Sequence, residues 1–228
     1  MSALTQTILS IHIASGFTAL TTGFFSMLNR KGGKNHRLTG KIFFGAMTGV
    51  FITAVVLSIL KPNPFLFLVG FFSYYLACSG YRALYLKTHD LNKKPAAIDW
   101  IIGVAGMLAG IALLVFSLYW FQSRGYWGLV PLTFGSFCLT TALNDFRNIY
   151  GAENKQHRLM SHGSRMGGAF AATVTAFIVV NFTLGAYTWV LWILPGVLIG
   201  IWISKNLQVL KKGLNKTSNL VTSKNHEQ

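Results

Sequence analysis

Acidic residues are nearly missing from this sequence. Five Asp and Glu stand among 228 residues, and all charged residues together make up 11%. Soluble domains carry about 25%. With 52% hydrophobic and 14% aromatic residues, the chain has too little polar surface to cover a water-soluble body of its size. The scarcity excludes a soluble domain and implies an integral membrane protein. Cysteine is scarce as well. Cys78 and Cys138 lie inside apolar runs without CxxC spacing, which excludes a disulfide framework and a zinc knuckle and leaves them as small core residues. A nucleotide loop and a catalytic carboxylate pair are also missing. Gly163-Ser164-Arg165 follows no strand and does not fit a nucleophile elbow.

Long apolar runs are what the sequence has in quantity. Seven of them, Ala3–Met27, Leu38–Leu60, Pro64–Leu86, Ile98–Phe121, Tyr126–Asp145, Leu159–Phe182 and Tyr187–Ser204, approach or exceed the roughly 20 residues a helix needs to cross a bilayer. The strands of a membrane barrel would alternate over about ten residues, and these runs do not alternate. The expected fold is all-α, a polytopic bundle of seven transmembrane helices over residues 1–207. A basic, polar tail of residues 208–228 is expected to be mobile. Met1–Gln6 holds no basic residue, so a cleaved signal peptide is not expected.

Twenty Lys and Arg give a net charge of +15. In a soluble chain that balance would suggest nucleic acid, but here the cations fall between apolar runs. Eighteen of the twenty lie in the second-helix entry, the third and fifth connections and the tail, and only Lys61 and Arg124 lie opposite. The positive-inside rule then puts the N-terminus outside and the C-terminus in the cytoplasm. The expected location is the bacterial inner membrane, with the lipid bilayer as partner and no nucleic acid. Gly45-x-x-x-Gly49, Gly106-x-x-x-Gly110, Gly163-x-x-x-Gly167 and the pair Ala19 and Gly23 are spaced for close helix approach in lipid. Bundle packing explains them, with a homodimer seam or a larger membrane complex as the sharper alternative.

Ionisable groups at membrane depth are costly and concentrate at functional sites. In the first helix His12 shares a small, mildly polar face with Ser15, Gly16, Ala19, Thr22 and Gly23. This face is expected to line a cavity or, more plainly, to hold a neutral histidine bonded to a neighbouring carbonyl or hydroxyl. A second group gathers at the cytoplasmic helix ends. His36 opens the second helix, His162 and Arg165 open the sixth on one face, Asp145 closes the fifth and Asp99 begins the fourth. His36, Asp145 and His162 are the candidate metal ligands, with His36 and His162 as candidate cofactor ligands. The plainer readings are that Asp99 complements a helix N-terminus and that Arg165 pairs with Asp145. His89, His157 and His226 are expected to face solvent. His12 and His162 differ in height by roughly 15–20 Å at about 1.5 Å per residue, so one metal cannot take both.

The motifs Ile11-His12-Ile13-Ala14-Ser15-Gly16, His36-Arg37-Leu38-Thr39-Gly40 and Phe71-Phe72-Ser73-Tyr74-Tyr75-Leu76 with Gly80-Tyr81-Arg82 form one recurring pattern. It continues in Phe134-Gly135 with Asp145, and in His162-x-x-Arg165-Met166 leading to Thr173-Val174-Thr175-Ala176-Phe177. It resembles a bacterial family of multi-pass membrane proteins known as a domain of unknown function. The resemblance spans Ile11 to Asn181. It implies a fold and points to His12, His36, Asp145 and His162, without implying a mechanism.

Three functional readings follow. Helical bundles hold haem b between histidines of facing helices, and His36 and His162 stand at similar depth. A transition metal in a redox role is the near variant. Histidines with a carboxylate would alternatively hold zinc in a lipid hydrolase, although the closely spaced HxxxH pair of the ceramidase and adipose-receptor hydrolases is absent. The third reading is non-enzymatic, a transporter, sensor or accessory subunit; carriers usually show broken helices or repeats.

Overall fold

The computed structural model describes residues 2–85, 96–150 and 155–226. These form α1 (Ala3–Leu28), α2 (Lys34–Leu60), α3 (Pro64–Arg82), α4 (Ala97–Arg124), α5 (Leu129–Tyr150), α6 (Lys155–Asn181) and α7 (Thr188–His226). Two short 3₁₀ turns, Gly125–Gly128 and Gly185–Tyr187, precede α5 and α7. The described residues contain no strand. Among the described residues, six helical stretches are long and apolar enough to cross a membrane. One of them, the 51-residue Ala97–Arg147, takes in both α4 and α5. Val115 and Leu118 are 62% and 66% exposed, an arrangement that is stable where the surroundings are hydrocarbon.

The helix ends have local causes. Ser2 Oγ accepts from the Thr5 amide at 3.3 Å at the start of α1, and Asn63 Oδ1 accepts from the Leu66 amide at 3.1 Å ahead of Pro64. Both side chains satisfy amides that lack a partner within the first turn. Asp99 Oδ2 accepts from the Ala96 amide at 3.0 Å. It thus complements a helix start as the sequence suggests, and it also takes both arms of Arg82 at 2.6 and 3.0 Å. That fork ties the end of α3 to the beginning of α4. Gly125 adopts φ +57°, a left-handed conformation favouring glycine, where the chain turns from α4 toward α5.

Neighbouring helices pair as α1 with α2, α4 with α5 and α6 with α7, while α3 packs against α2, α4 and α6. The central position of α3 explains why Leu76 and Ala77 have no exposed surface. Lipid tails are as apolar as leucine, so small residues rather than hydrophobic burial bring such helices together. A Cβ added to Gly110 would stand 2.9 Å from the Leu139 backbone amide, and one on Gly49 would stand 2.8 Å from Ser15 Oγ. Gly163 and Gly167 face Leu207 and Ile203 across the α6–α7 seam, whereas Gly45 has nothing within 4 Å. The spacing of small residues therefore serves packing inside the bundle at every position but Gly45.

Several boundaries differ from the sequence expectation, those of α3 and α7 among them. α3 ends at Arg82 rather than Leu86, with Ala83–Tyr85 in turns. α7 continues past Ser204 to His226. Its apolar stripe does not stop at Ser204: Ile203, Leu207 and Leu210 recur at helical spacing and line one cavity. Away from that cavity, Trp120 meets a tilted Phe65 ring and an edge-on Trp127 ring, with ring centres 4.6 and 6.2 Å apart. The Arg124 guanidinium lies 4.9 Å over the Trp120 ring, a favourable cation–aromatic contact.

Candidate functional site

A cavity of about 380 Å³ opens among α1, α2, the end of α3, α6 and α7. That volume is typical of small-molecule and cofactor sites. Its walls are mostly apolar, from Met27, Phe43, Met166, Phe170 and Ile203, and both His36 and His162 stand on them.

The two rings meet with centres 6.4 Å apart and planes 86° apart. Each is anchored by a helix end. His36 Nδ1 lies 2.9 Å from the Ser26 carbonyl and 3.2 Å from the Ser26 hydroxyl. His162 Nδ1 lies 2.9 Å from the Gly80 carbonyl. Ser26 and Gly80 occupy the last turns of α1 and α3, where carbonyls lack an intrahelical donor. A carbonyl can only accept, so Nδ1 carries the proton in both rings, and a neutral imidazole then has its lone pair on Nε2. A histidine whose Nδ1–H is held by a carbonyl in this way is oriented to bind a metal through Nε2. Lys31 reaches the same helix end, its Nζ donating to the Met27 carbonyl at 2.6 Å.

Asp145 does not join the histidines. Its Oδ1 pairs with Arg165 Nη2, and its Oδ2 accepts from the Tyr75 hydroxyl at 2.5 Å. The carboxylate side chain is 13% exposed and the guanidinium 8%. A buried guanidinium requires a carboxylate, and Asp145 is the acid within reach of helix α6. Among the described residues no three His, Cys, Asp or Glu side chains stand close enough to hold a metal ion. The expected ligand trio of His36, Asp145 and His162 is thus corrected to a histidine pair and a separate buried ion pair. Arg165, expected on a cavity wall, is absent from the wall and buried with Asp145.

His12 is also away from this cavity. Its Nδ1 lies 2.8 Å from Thr53 Oγ1, which in turn donates to the Gly49 carbonyl at 2.7 Å. With that hydroxyl proton spent, Thr53 accepts from His12. This is the plainer arrangement, a histidine bonded to a neighbouring hydroxyl. Ser15 packs on Gly49 and is likewise absent from the wall of the histidine cavity. His157 is exposed, whereas His89 and the side chain of His226 lie outside the described residues.

Tyr75, the Ser26 and Gly80 carbonyls and Lys31 escape a search for ionisable clusters. Tyr75 belongs to an aromatic run without a spacing signal, and backbone carbonyls have no sequence signature. Comparison with protein-family models, curated proteins and solved structures finds no match for this chain.

Proposed function

We propose that the protein is a bacterial inner-membrane redox protein that holds one haem b between His36 and His162. The carrying observation is the anchored pair: two histidines on one cavity, each with Nδ1 committed to a helix-terminal carbonyl. His36 and His162, whose ring centres lie 6.4 Å apart, would hold the metal through their Nε2 atoms. Ligand number separates this reading from the zinc hydrolase. A zinc site takes three or four protein ligands, and two histidines fall short. A porphyrin brings four nitrogens of its own and asks the protein for axial ligands alone.

The same reading counts Ala97–Arg147 as two crossings, giving seven, with the N-terminus outside and the cavity near the cytoplasmic face. The distribution of Lys and Arg supports this orientation. A reporter fused to the tail is expected to be active in the cytoplasm; periplasmic activity would reverse the topology.

The deciding experiment is a visible spectrum of the protein purified in mild detergent. A Soret band that shifts on dithionite reduction is expected. His36→Ala and His162→Ala should each abolish it or convert it to a one-histidine spectrum, while His12→Ala keeps it. A colourless protein that does not take up added hemin would sink the haem reading.

A further inference from the structure

Three cations, Lys31, Arg37 and Lys41, stand at the mouth of the histidine cavity, and each is exposed. No described carboxylate neutralises them. The two acids with described side chains are spent, Asp99 on Arg82 and Asp145 on Arg165. Asp90, Glu153 and Glu227 lie outside the described side chains.

The placement of Arg37 and Lys41 is locally unfavourable, whereas Lys31 lies just past the end of α1 and its Nζ donates to the Met27 and Ser26 carbonyls at 2.6 and 3.4 Å. Arg37 occupies the first turn of α2, where the helix dipole disfavours positive charge. Lys41 lies four residues on, so two like charges share one face and repel. Retaining a basic residue to satisfy the positive-inside rule does not require it to line a cavity, as the exposed Lys205, Lys211 and Lys212, which are not on the wall, illustrate. A local cost of this kind marks functional positions. Apolar walls, an anchored histidine pair and a cationic mouth together call for a ligand that is apolar through its body and anionic at one edge.

We propose that Lys31, Arg37 and Lys41 form a carboxylate-binding rim that receives the two propionates of a porphyrin and fixes which edge faces the cytoplasm. The inference rests on the haem reading and adds the specificity of the same site. Charge-assisted hydrogen bonds from lysine and arginine to carboxylates are about twice as strong as neutral ones. Losing both carboxylate charges removes more than one such bond, and a single one is worth about tenfold in affinity.

The test is a titration of the full-length apoprotein in detergent with hemin and with hemin dimethyl ester, which lacks the carboxylate charges. The wild type should bind hemin at least about tenfold tighter than the ester. The Lys31→Gln/Arg37→Gln/Lys41→Gln variant should bind both with equal affinity and with the same Soret position. The comparison of the two ligands on the wild type needs no mutation, so misfolding of the variant cannot mask the outcome. Equal binding of acid and ester by the wild type would overturn the rim while leaving the haem reading intact. A preference for hemin that survives in the variant would also overturn it. Displacement of hemin by phosphatidylglycerol, without discrimination between acid and ester, would assign the rim to lipid headgroups instead. Binding of neither porphyrin would remove the haem reading and the rim with it.

Discussion

Replacing Asp145 by Asn tests the buried ion pair that separates this carboxylate from the histidines. Asparagine keeps the shape and still offers an oxygen to the Tyr75 hydroxyl, so the change removes one charge and little else. Arg165 is 6% exposed and would be left as an uncompensated buried cation. Removing one member of such a pair costs about 3–5 kcal/mol. For a chain of this size about 1 kcal/mol lowers the unfolding midpoint by about 2–4 °C, so a drop of about 6 °C or more is expected. Cys138 has no exposed surface, and its reaction with a fluorogenic maleimide during heating reports unfolding. The companion variant removes the whole polar group as Asp145→Leu, Arg165→Met and Tyr75→Phe. Well-packed apolar replacements of a buried pair are often neutral or stabilising, and Phe removes the hydroxyl that Leu would leave without an acceptor. The triple variant should therefore melt closer to the wild type than Asp145→Asn does. If Asp145→Asn melts within about 1 °C of the wild type, or the triple variant melts below it, the ion pair does not carry the energy assigned to it.

Glycine substitutions should separate packing from spacing. Gly110→Ala would drive a methyl to 2.9 Å from the Leu139 amide and Gly80→Ala to 2.9 Å from the Met166 amide; backbone cannot yield as a side chain does, and a cost of about 1–3 kcal/mol is expected for each, read as a lower unfolding midpoint. Gly45→Ala meets nothing within 4 Å and should leave the midpoint unchanged or raise it, since alanine is the better helix former. Gly80→Ala should also disturb the His162 anchor, visible as a shift in any haem spectrum that Gly110→Ala leaves alone. Equal effects at Gly45 and Gly110 would contradict the assigned seams.

Much of the fold is legible along the chain because a membrane imposes a strong rule. Backbone polar groups in hydrocarbon must be satisfied within the segment, so apolar runs of sufficient length become helices. Four of the seven helices start within about two residues of the expected limits, and the exceptions are instructive. The start of α5 is shifted by the 3₁₀ turn Gly125–Gly128, which places Pro131 in the first turn where its missing amide costs nothing. α6 begins at Lys155 instead of Leu159, and α2 at Lys34 instead of Leu38. Polar first turns are invisible to a hydropathy reading but not to the backbone, which gains hydrogen bonds from them.

The candidate site was legible in type and only half legible in arrangement. A histidine at membrane depth stands out by its cost, and His12, His36, Asp145, His162 and Arg165 all stand out on that ground. Which of them meet depends on rotation and tilt of each helix, set by contacts such as Gly49 on Ser15 and Gly80 on Met166. Residues far apart in sequence then become neighbours: Tyr75 reaches Asp145, and His162 reaches the carbonyl of Gly80.

By itself the sequence determined that this chain forms helices apolar and long enough to cross a membrane and that most of its charged groups fall between the apolar runs. Desolvation decides both, because it acts on each residue according to its own chemistry and needs no partner. The tertiary structure alone decided the partners. It gave Asp145 to Arg165 and Tyr75, His12 to Thr53, and the Ser26 and Gly80 carbonyls to the histidine pair. Hydrogen bonds and ion pairs act over about 3–4 Å, and distances that short between separate helices are fixed only when the helices pack.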